Sequence, residues 1–289
     1  MGRKATSIDR QIELLEERGM VLDYEVPKIK EFLLDIGYYR LGFYWQPFEI
    51  DDKHTLNPGT KFSDIIALYY LDVDLRNILS RYMNRIEINF RTKLVYYVSN
   101  KYKTSPTWFV DASAMSNTYI QNFNKYYDDE FIRNNKPIKN HHKNYINDRY
   151  APAWKTIEFF TFGGILKTFT SLKDEEIKKR IAGCYDIRDV KKFINFMTTI
   201  KQVRNVCAHS AVIFDFHTPK GINRIPAFEF NNDNRHSLDS SIKVILYILS
   251  QISTTRHDEM LEDIQRLFNK HAENQVLKHI IESKMGYNF

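Results

Sequence analysis

One stretch of this chain constrains its fold more than any other. Between residues 63 and 99, apolar side chains recur every three or four positions, and no Gly or Pro interrupts them. The apolar positions are Ile65, Leu68, Leu71, Leu75, Ile78, Tyr82, Ile86, Phe90, Leu94 and Val98. An α-helix turns once in about 3.6 residues, so this spacing collects the apolar side chains on one face. The stretch therefore predicts a single long helix.

Shorter helical patterns flank this stretch on both sides. We expect further helices at residues 8–18, 27–37, 154–172, 174–182, 190–209, 239–250, 257–268 and 272–283. The chain contains only 10 Gly and 8 Pro, which favours long helices over a turn-rich all-β fold. There is no internal repeat and no low-complexity tract. The sequence thus predicts an all-α fold in one domain that spans residues 1–289.

Two segments have weaker patterns. Residues 104–150 are polar and weakly periodic, and we expect a helix only at 119–131. Residues 136–149 within them are basic. Residues 213–230 contain Pro219, Gly221 and Pro226 between short aromatic runs, which predicts a hairpin or an irregular loop.

The composition limits the classes of function. The net charge is +6 and the pI is about 9.0, which favours polyanionic partners, although many proteins with this charge bind no nucleic acid. Cys184 and Cys207 lack the spacing of a metal or redox motif and suggest a reducing compartment. Because no signal peptide or membrane span is visible, we expect a cytoplasmic protein. Phosphate-binding glycine loops and nucleophile elbows are absent, which disfavours an NTPase or an α/β-hydrolase.

The best candidate for chemistry is the hexapeptide Arg-Asn-Val-Cys-Ala-His at residues 204–209, an R-x4-H motif. Side chains five residues apart on a helix point about 140° away from each other, whereas Asn205 and His209 share a face. The long side chain of Arg204 could still reach them. We therefore expect a small polar site at a helix start or at the seam of a symmetric dimer, with a capped or ion-paired helix end as the alternative.

The residue types suit cleavage of RNA. A histidine titrates near pH ~6.5 and can act as base or acid on the ribose 2′-OH. A guanidinium can stabilise the charge that develops on the phosphoryl oxygens. Asn205 could orient the imidazole or donate to the phosphate. Such a reaction needs no metal or other cofactor and yields a 2′,3′-cyclic phosphate.

The spacing alone is weak evidence, because a second R-x4-H occurs at residues 266–271. We interpret this second match as a solvated helix face. Cys207, inside the first motif, is interpreted as a small apolar filler rather than a nucleophile.

Five short sequence motifs follow one another along the chain. They are GYYRLGFYWQPF at 37–48, LDVDLR at 71–76, RIEINFR at 85–91, PAW with Glu158 and FG within 152–163, and RNVCAH at 204–209. Together these motifs cover most of residues 8–216. The set resembles the abortive-infection (Abi) D/F-like family of bacterial defence proteins. Ser210 stands where that family's motif has a second His.

The resemblance implies more than the residues alone can. It implies a HEPN-type helical bundle with additional helices, a homodimer, and metal-independent RNase activity centred on Arg204 and His209, with Asn205 in support. It also implies a role in phage defence or as a toxin, with a small structured RNA as a possible regulator.

Other polar residues have a structural and a functional interpretation. Glu87 and Arg91 are four apart and should form an ion pair on the long helix. In the functional interpretation, Glu87 holds the side chain of Arg204 or His209 in place. Glu158 could likewise form a structural ion pair or hold one of these two residues. Arg40 lies among aromatic residues and could contact RNA, although such a cluster is more often core.

The basic residues of 136–149 form the second predicted RNA contact. They are Lys139, His142, Lys143 and Arg149, and a solvated loop is the alternative interpretation. The neighbouring His141 and His142 lack further ligands at zinc-site spacing.

These observations lead to one hypothesis and two alternatives. The hypothesis is a HEPN endoribonuclease that acts on RNA as a homodimer. One alternative is a module that binds a structured RNA without cleaving it. The other is a dimeric scaffold that binds no RNA.

Overall fold

A computed structural model describes residues 5–225 and 228–289 of the chain. The first half contains helices α1 (Ile8–Glu17), α2 (Val26–Phe32), α3 (Tyr38–Trp45), α4 (Phe62–Lys101), α5 (Asn117–Asn122), α6 (Asp129–Asn134) and α7 (Lys136–Asn144). The second half contains α8 (Ala153–Thr156), α9 (Phe162–Thr170), α10 (Glu175–Gly183), α11 (Val190–Ala208), α12 (Leu238–Ser250), α13 (Thr254–Asn269) and α14 (Gln275–Ile280). Short 3-10 and π turns extend several of them. The predicted all-α fold is confirmed.

Helix α4 forms the centre of the arrangement. It has 40 residues, which corresponds to a length of about 60 Å. Helices α3, α10, α11, α12, α13 and α14 all pack against it. Its apolar positions are buried along nearly the whole length, from Phe62 to Val98. The periodicity in the sequence thus corresponds to a helix covered on several sides by other helices.

Side-chain caps determine where several of these helices begin. Ser7, Asp174, Asp189, Ser237 and Ser253 each accept a hydrogen bond from a backbone N–H in the first turn of the following helix. Such a cap satisfies a donor that has no partner inside the helix. The predicted starts at residues 8, 174, 190 and 239 lie within one residue of the observed starts, whereas α13 begins at Thr254, three residues before the predicted start at 257.

The structure differs from the predicted helices at three places, each rich in aromatic residues. Residues 38–45 form a helix with Leu41, Tyr44 and Trp45 buried. The expected helix at 119–131 is broken between α5 and α6, where Phe123 and Tyr127 pack in the core. The expected helix at 154–172 is also broken, because Phe160 is extended and Thr161 caps α9.

The segment 213–230 is irregular in its described part. An isolated antiparallel bridge joins Ile225 and Phe228, and Pro226 lies outside the described residues. The basic segment 136–149 is largely helical rather than a loop, since α7 covers Lys136–Asn144. In the described residues, no helix combines the length and apolar character that a membrane span requires.

One buried carboxylate joins three parts of this fold. Asp72 of α4 is fully buried, and its Oδ1 accepts hydrogen bonds from the backbone N–H groups of Ile213 and Phe214, both at 2.8 Å. Its Oδ2 accepts from the hydroxyl of Tyr44 and from Nε of Arg76, both at 3.0 Å. Burial raises the pKa of Asp72, and the N–H and guanidinium donors oppose that rise. The carboxylate therefore links α3, α4 and the segment that follows α11.

Removal of this carboxylate should destabilise the protein strongly. Asp72→Ala leaves Arg76 buried without its counter-ion and two backbone N–H groups without an acceptor. We expect the free energy of unfolding to fall by about 3–5 kcal/mol, measured by urea denaturation. Asp74→Ala, two residues along the same helix and only half-buried, is the control and should change it by less than about 0.5 kcal/mol. Equal effects of the two substitutions would contradict this account of Asp72.

Candidate functional site

The R-x4-H motif lies at the end of α11, not at a helix start. Helix α11 ends at Ala208, and His209 is its C-cap. Ser210 follows with a left-handed backbone (φ 52°), its N–H donates to the carbonyl of Cys207, and the N–H of Ala211 donates to the carbonyl of Val206. These two bonds form a Schellman motif, a common way of ending a helix. The motif fixes the backbone direction immediately after His209.

Two further contacts hold the chain just beyond this end. The guanidinium of Arg40, on α3, donates a hydrogen bond to the carbonyl of Ser210. Asp72 accepts from the N–H groups of Ile213 and Phe214. Arg40 also lies 6.0 Å from the ring of Tyr44. Arg40 is thus placed beside the R-x4-H motif, where it supports the backbone.

Arg204 belongs to a network of ion pairs with α4. Its Nε lies 3.5 Å from Oε2 of Glu87, and Oε1 of the same carboxylate accepts from Nη2 of Arg91 at 2.9 Å. The expected Glu87–Arg91 pair is therefore present. Glu87 is buried, while the side chain of Arg204 is 34% exposed. One buried carboxylate thus faces two guanidiniums, of which one reaches solvent.

Glu158 and a backbone carbonyl complete the surroundings of Arg91. Nη1 of Arg91 lies 3.7 Å from Oε1 of Glu158, whose side chain is 61% exposed. Nη2 of Arg91 also donates to the carbonyl of Phe160 at 3.1 Å. The exposed Glu158 contributes less to the network than the buried Glu87, because water screens its charge. The structure thus brings Glu87, Arg91, Glu158 and Arg204 together.

An open depression of about 540 Å³ lies over this network. Its lining comprises Asn77, Ser80, Arg81, Asn84 and Glu87 of α4 together with Arg204 and Ala208 of α11. Apart from Ala208, these are neutral polar groups, one acid that is already paired, and two arginines, of which Arg81 is itself paired with Asp263 at 3.5 Å and with Glu259 at 3.9 Å. Such a surface is suited to a phosphate group.

His209 and Asn205 are not part of the network. Both are exposed, and within the described residues neither side chain forms a hydrogen bond or ion pair. They are one helical turn apart, so they lie near the same face. On an ideal helix, side chains five residues apart point roughly 140° away from each other. In agreement with this, no hydrogen bond or ion pair among the described residues joins Arg204 to His209, and His209 does not line the depression.

Cys207 is buried against α4, and burial raises the pKa of its thiol to about 12. A thiolate is the reactive form of cysteine. At neutral pH this thiol is therefore protonated and unreactive, as expected for an apolar filler.

The predicted RNA-binding residues of α7 and the following loop lie in different environments. Lys139, Lys143 and Arg149 are exposed. His142 is half-buried, and its Nε2 lies 2.8 Å from the hydroxyl of Tyr127. That hydroxyl also accepts a hydrogen bond from the N–H of Ala151. His142 thus has a structural hydrogen bond, and its contact with RNA stays a prediction.

The second R-x4-H match differs from the first. Arg266 is exposed near the end of α13, 3.9 Å from Asp263. His271 is half-buried, and burial together with Lys270 lowers its pKa. No buried acid of α4 holds this arginine, so the pair provides a matched control for the first motif.

Two positions near the motif are missed by sequence reasoning. Asp72 is an acid among the apolar positions of a predicted helix, which is a signal that it needs buried donors. Lys201 lies on α11 one turn before Arg204, and its side chain passes 3.7 Å from the position that a Cβ on Gly163 would occupy. Only the packing of α9 on α11 reveals this second contact.

The buried carboxylate of Glu87 should matter far more than the exposed one of Glu158. Glu87→Gln leaves Arg91 and Arg204 without their shared counter-ion, so we expect the free energy of unfolding to fall by about 2–3 kcal/mol. Glu158→Gln is the matched control and should lower it by less than about 1 kcal/mol. Urea denaturation of both variants measures the difference, and a larger loss for Glu158→Gln would show that the network is wrongly described.

Comparisons with known proteins place the chain in a family. Neither the search of curated proteins nor that of solved structures returned a match. A family model described as Abi-like protein matches residues 31–215. The match includes α3, α4, the network around Glu87 and the R-x4-H motif, and it supports a role in abortive infection, a form of phage defence. Because it covers more than half of the chain, this protein belongs to the Abi-like family.

Proposed function

We propose that this protein is a metal-independent endoribonuclease of HEPN type that acts in phage defence or as a toxin. One observation carries the proposal. Arg204 and His209 reach solvent at the end of α11, on a backbone held by the Schellman motif, Arg40 and Asp72. Side chains that act on a substrate must be accessible to it and must project from a backbone that is held in place.

Arg204 would bind and stabilise the phosphoryl oxygens. Its ion pair with Glu87 involves Nε, and its terminal nitrogens have no hydrogen bond to a described residue. These nitrogens can donate to two oxygens of one phosphate. As negative charge grows on those oxygens during the reaction, the interaction strengthens, which lowers the barrier.

His209 would transfer protons. As a base it takes the proton from a ribose 2′-OH, whose oxygen then forms a bond to the adjacent phosphorus. The bond from phosphorus to the 5′-oxygen breaks, and that oxygen takes a proton from an acid. The products are a 2′,3′-cyclic phosphate and a 5′-hydroxyl. Asn205, on the same face as His209, would donate to the phosphate or orient the imidazole.

In a homodimer, Arg204 and His209 could come from different copies and so meet at one site. Within one copy, Arg204 and His209 diverge by about 140°. A two-fold axis near the end of α11 would bring Arg204 of one copy towards His209 of the other, since a symmetric interface repeats the same surface on both sides.

One observation favours a non-catalytic alternative. No described residue orients the imidazole of His209, whereas a catalytic base is usually held by a second hydrogen bond. The same surface could therefore bind a structured RNA, such as a small regulatory RNA, without cleaving it. Lys139, Lys143, Arg149 and Arg40 would then contribute to affinity. A dimeric scaffold without RNA is the third possibility.

Loss of either motif residue should abolish cleavage. We expect purified protein to cut single-stranded RNA in EDTA and to leave 2′,3′-cyclic phosphate ends. Arg204→Ala and His209→Ala should each lower the rate by at least about 100-fold, the usual size of such a contribution. Arg266→Ala and His271→Ala, in the second match, should leave the rate unchanged.

The controls separate the alternatives. Cleavage by His209→Ala at the wild-type rate would refute the catalytic assignment. RNA binding that weakens with salt but shows no cleavage in any variant would favour the binding module.

Mixing two inactive variants tests the composite site. In a mixed dimer of Arg204→Ala and His209→Ala, one site receives both intact side chains and the other receives neither. Since half of randomly formed dimers are mixed, we expect about one quarter of wild-type activity after denaturation and refolding together. No recovery, with dimers present by size-exclusion chromatography, would mean that each copy carries its own site.

A further inference from the structure

A small pocket lies next to the network of Glu87 and Arg91. It has a volume of about 250 Å³, and aromatic side chains from α5, α6 and the turn before α9 form its walls. These are Tyr119, Tyr126, Phe131, Phe159 and Phe160. Drug-sized ligands occupy pockets of roughly 300–1,000 Å³. This pocket is therefore suited to one flat ring system.

Its aromatic walls differ in accessibility. Tyr119 and Phe160 are buried, and the hydroxyl of Tyr119 is already hydrogen-bonded to Thr168 at 2.7 Å. Tyr126 is 49% exposed, and Phe159 is half-buried. Phe131 is half-buried as well, so three rings are available for stacking, while the buried pair forms a rigid floor.

The rim of the pocket is basic and lacks side chains where an entering group would pass. Gly163 and Gly164 line it together with Lys167, which is exposed. Lys201 of α11 lies outside the lining, but its Cδ is 3.7 Å from the position that a Cβ on Gly163 would occupy. Aromatic rings beside two ammonium groups match the two chemical parts of a nucleotide, a planar base and an anionic phosphate.

The pocket is connected directly to the R-x4-H motif. Phe160, in its wall, accepts a hydrogen bond from Arg91, and Arg91 shares Glu87 with Arg204. Lys201 precedes Arg204 by one helical turn, so the two basic side chains neighbour each other on α11. Lys201 thus contacts the rim residue Gly163 from the helix that also carries Arg204.

We propose that this aromatic pocket binds one unstacked base of a single-stranded RNA whose adjacent phosphate passes Lys201 to reach Arg204. The proposal rests on the proposed function and adds the nucleotide-binding subsite to it. Single-stranded RNA is commonly recognised by stacking of splayed bases on aromatic side chains. A free mononucleotide has the same chemistry, and the experiment separates these two sources.

Binding is measured separately from cleavage. Fluorescence anisotropy of labelled hexauridylate and hexaadenylate is recorded in EDTA, with all proteins carrying His209→Ala so that the probe stays intact. Tyr126→Ala removes an exposed stacking ring, and Tyr126→Phe keeps it. Gly163→Leu fills the rim, where an added Cβ meets only ordinary contacts at 3.7 and 3.8 Å. Gly183→Leu, on an open helix end with no atom within 4 Å of its Cβ, is the matched control.

We expect Tyr126→Ala and Gly163→Leu to weaken binding of at least one hexanucleotide by roughly 5- to 150-fold, the range for loss of one stacked base. Tyr126→Phe and Gly183→Leu should bind like the parent. If Tyr126→Ala and Gly163→Leu both bind the hexanucleotides as tightly as the parent protein does, with thermal unfolding unchanged, the proposal that the pocket binds a base is wrong. Mononucleotides that bind as tightly as the hexanucleotides would overturn its assignment to an RNA strand. Absence of cleavage in the protein with His209 restored would overturn the proposed function while leaving the binding result standing.

Discussion

The burial of Asp72 is the constraint on which the candidate site depends. A carboxylate without access to water must be surrounded by donors, and here they come from α3, α4 and the chain beyond α11. Any shift of that chain would break two of these hydrogen bonds together. The end of α11, only a few residues earlier, is therefore positioned by the protein core and not by the surface loop that follows it.

The sequence predicts the parts of this fold that depend on local periodicity. The sequence predicts helix α4 at 63–99, and the helix extends over Phe62–Lys101. The prediction succeeds because apolar residues recur at helical spacing along nearly the whole helix. The Glu87–Arg91 pair was predictable for the same reason, since it lies within one helix. The breaks near Phe123 and Phe160 were not, because burial of these rings depends on neighbours distant in the sequence.

The candidate site could be predicted only in part for a similar reason. The R-x4-H motif identifies Arg204 and His209, but it does not say that the motif ends a helix or that Glu87 of another helix holds the arginine. Arg40 illustrates the same limit. Its aromatic neighbours suggest either core or an RNA contact, and only the structure reveals that its guanidinium supports the backbone at Ser210. Such contacts depend on how α3, α4 and α11 pack together.

The charges around Arg204 explain how an arginine can be held without being neutralised. Glu87 shares one negative charge between two guanidiniums, and Glu158 is too exposed to compensate fully. Arg81, the other arginine of the depression, is paired with Asp263 and Glu259. Arg204 is therefore the lining residue whose charge is least compensated, which suits the proposed binding of phosphate.

No described residue orients the imidazole of His209, so in the proposed function the substrate itself would have to be positioned against it. An imidazole that no protein group orients acts well only when the reacting group is brought to it in a defined position. In the proposed arrangement, the aromatic pocket would hold a base, and Lys201 and Arg204 would hold the phosphate that follows. With the ribose thus anchored on two sides, an exposed histidine from a second copy needs little further orientation. This division of roles would place specificity in the pocket beside α9 and chemistry at the end of α11.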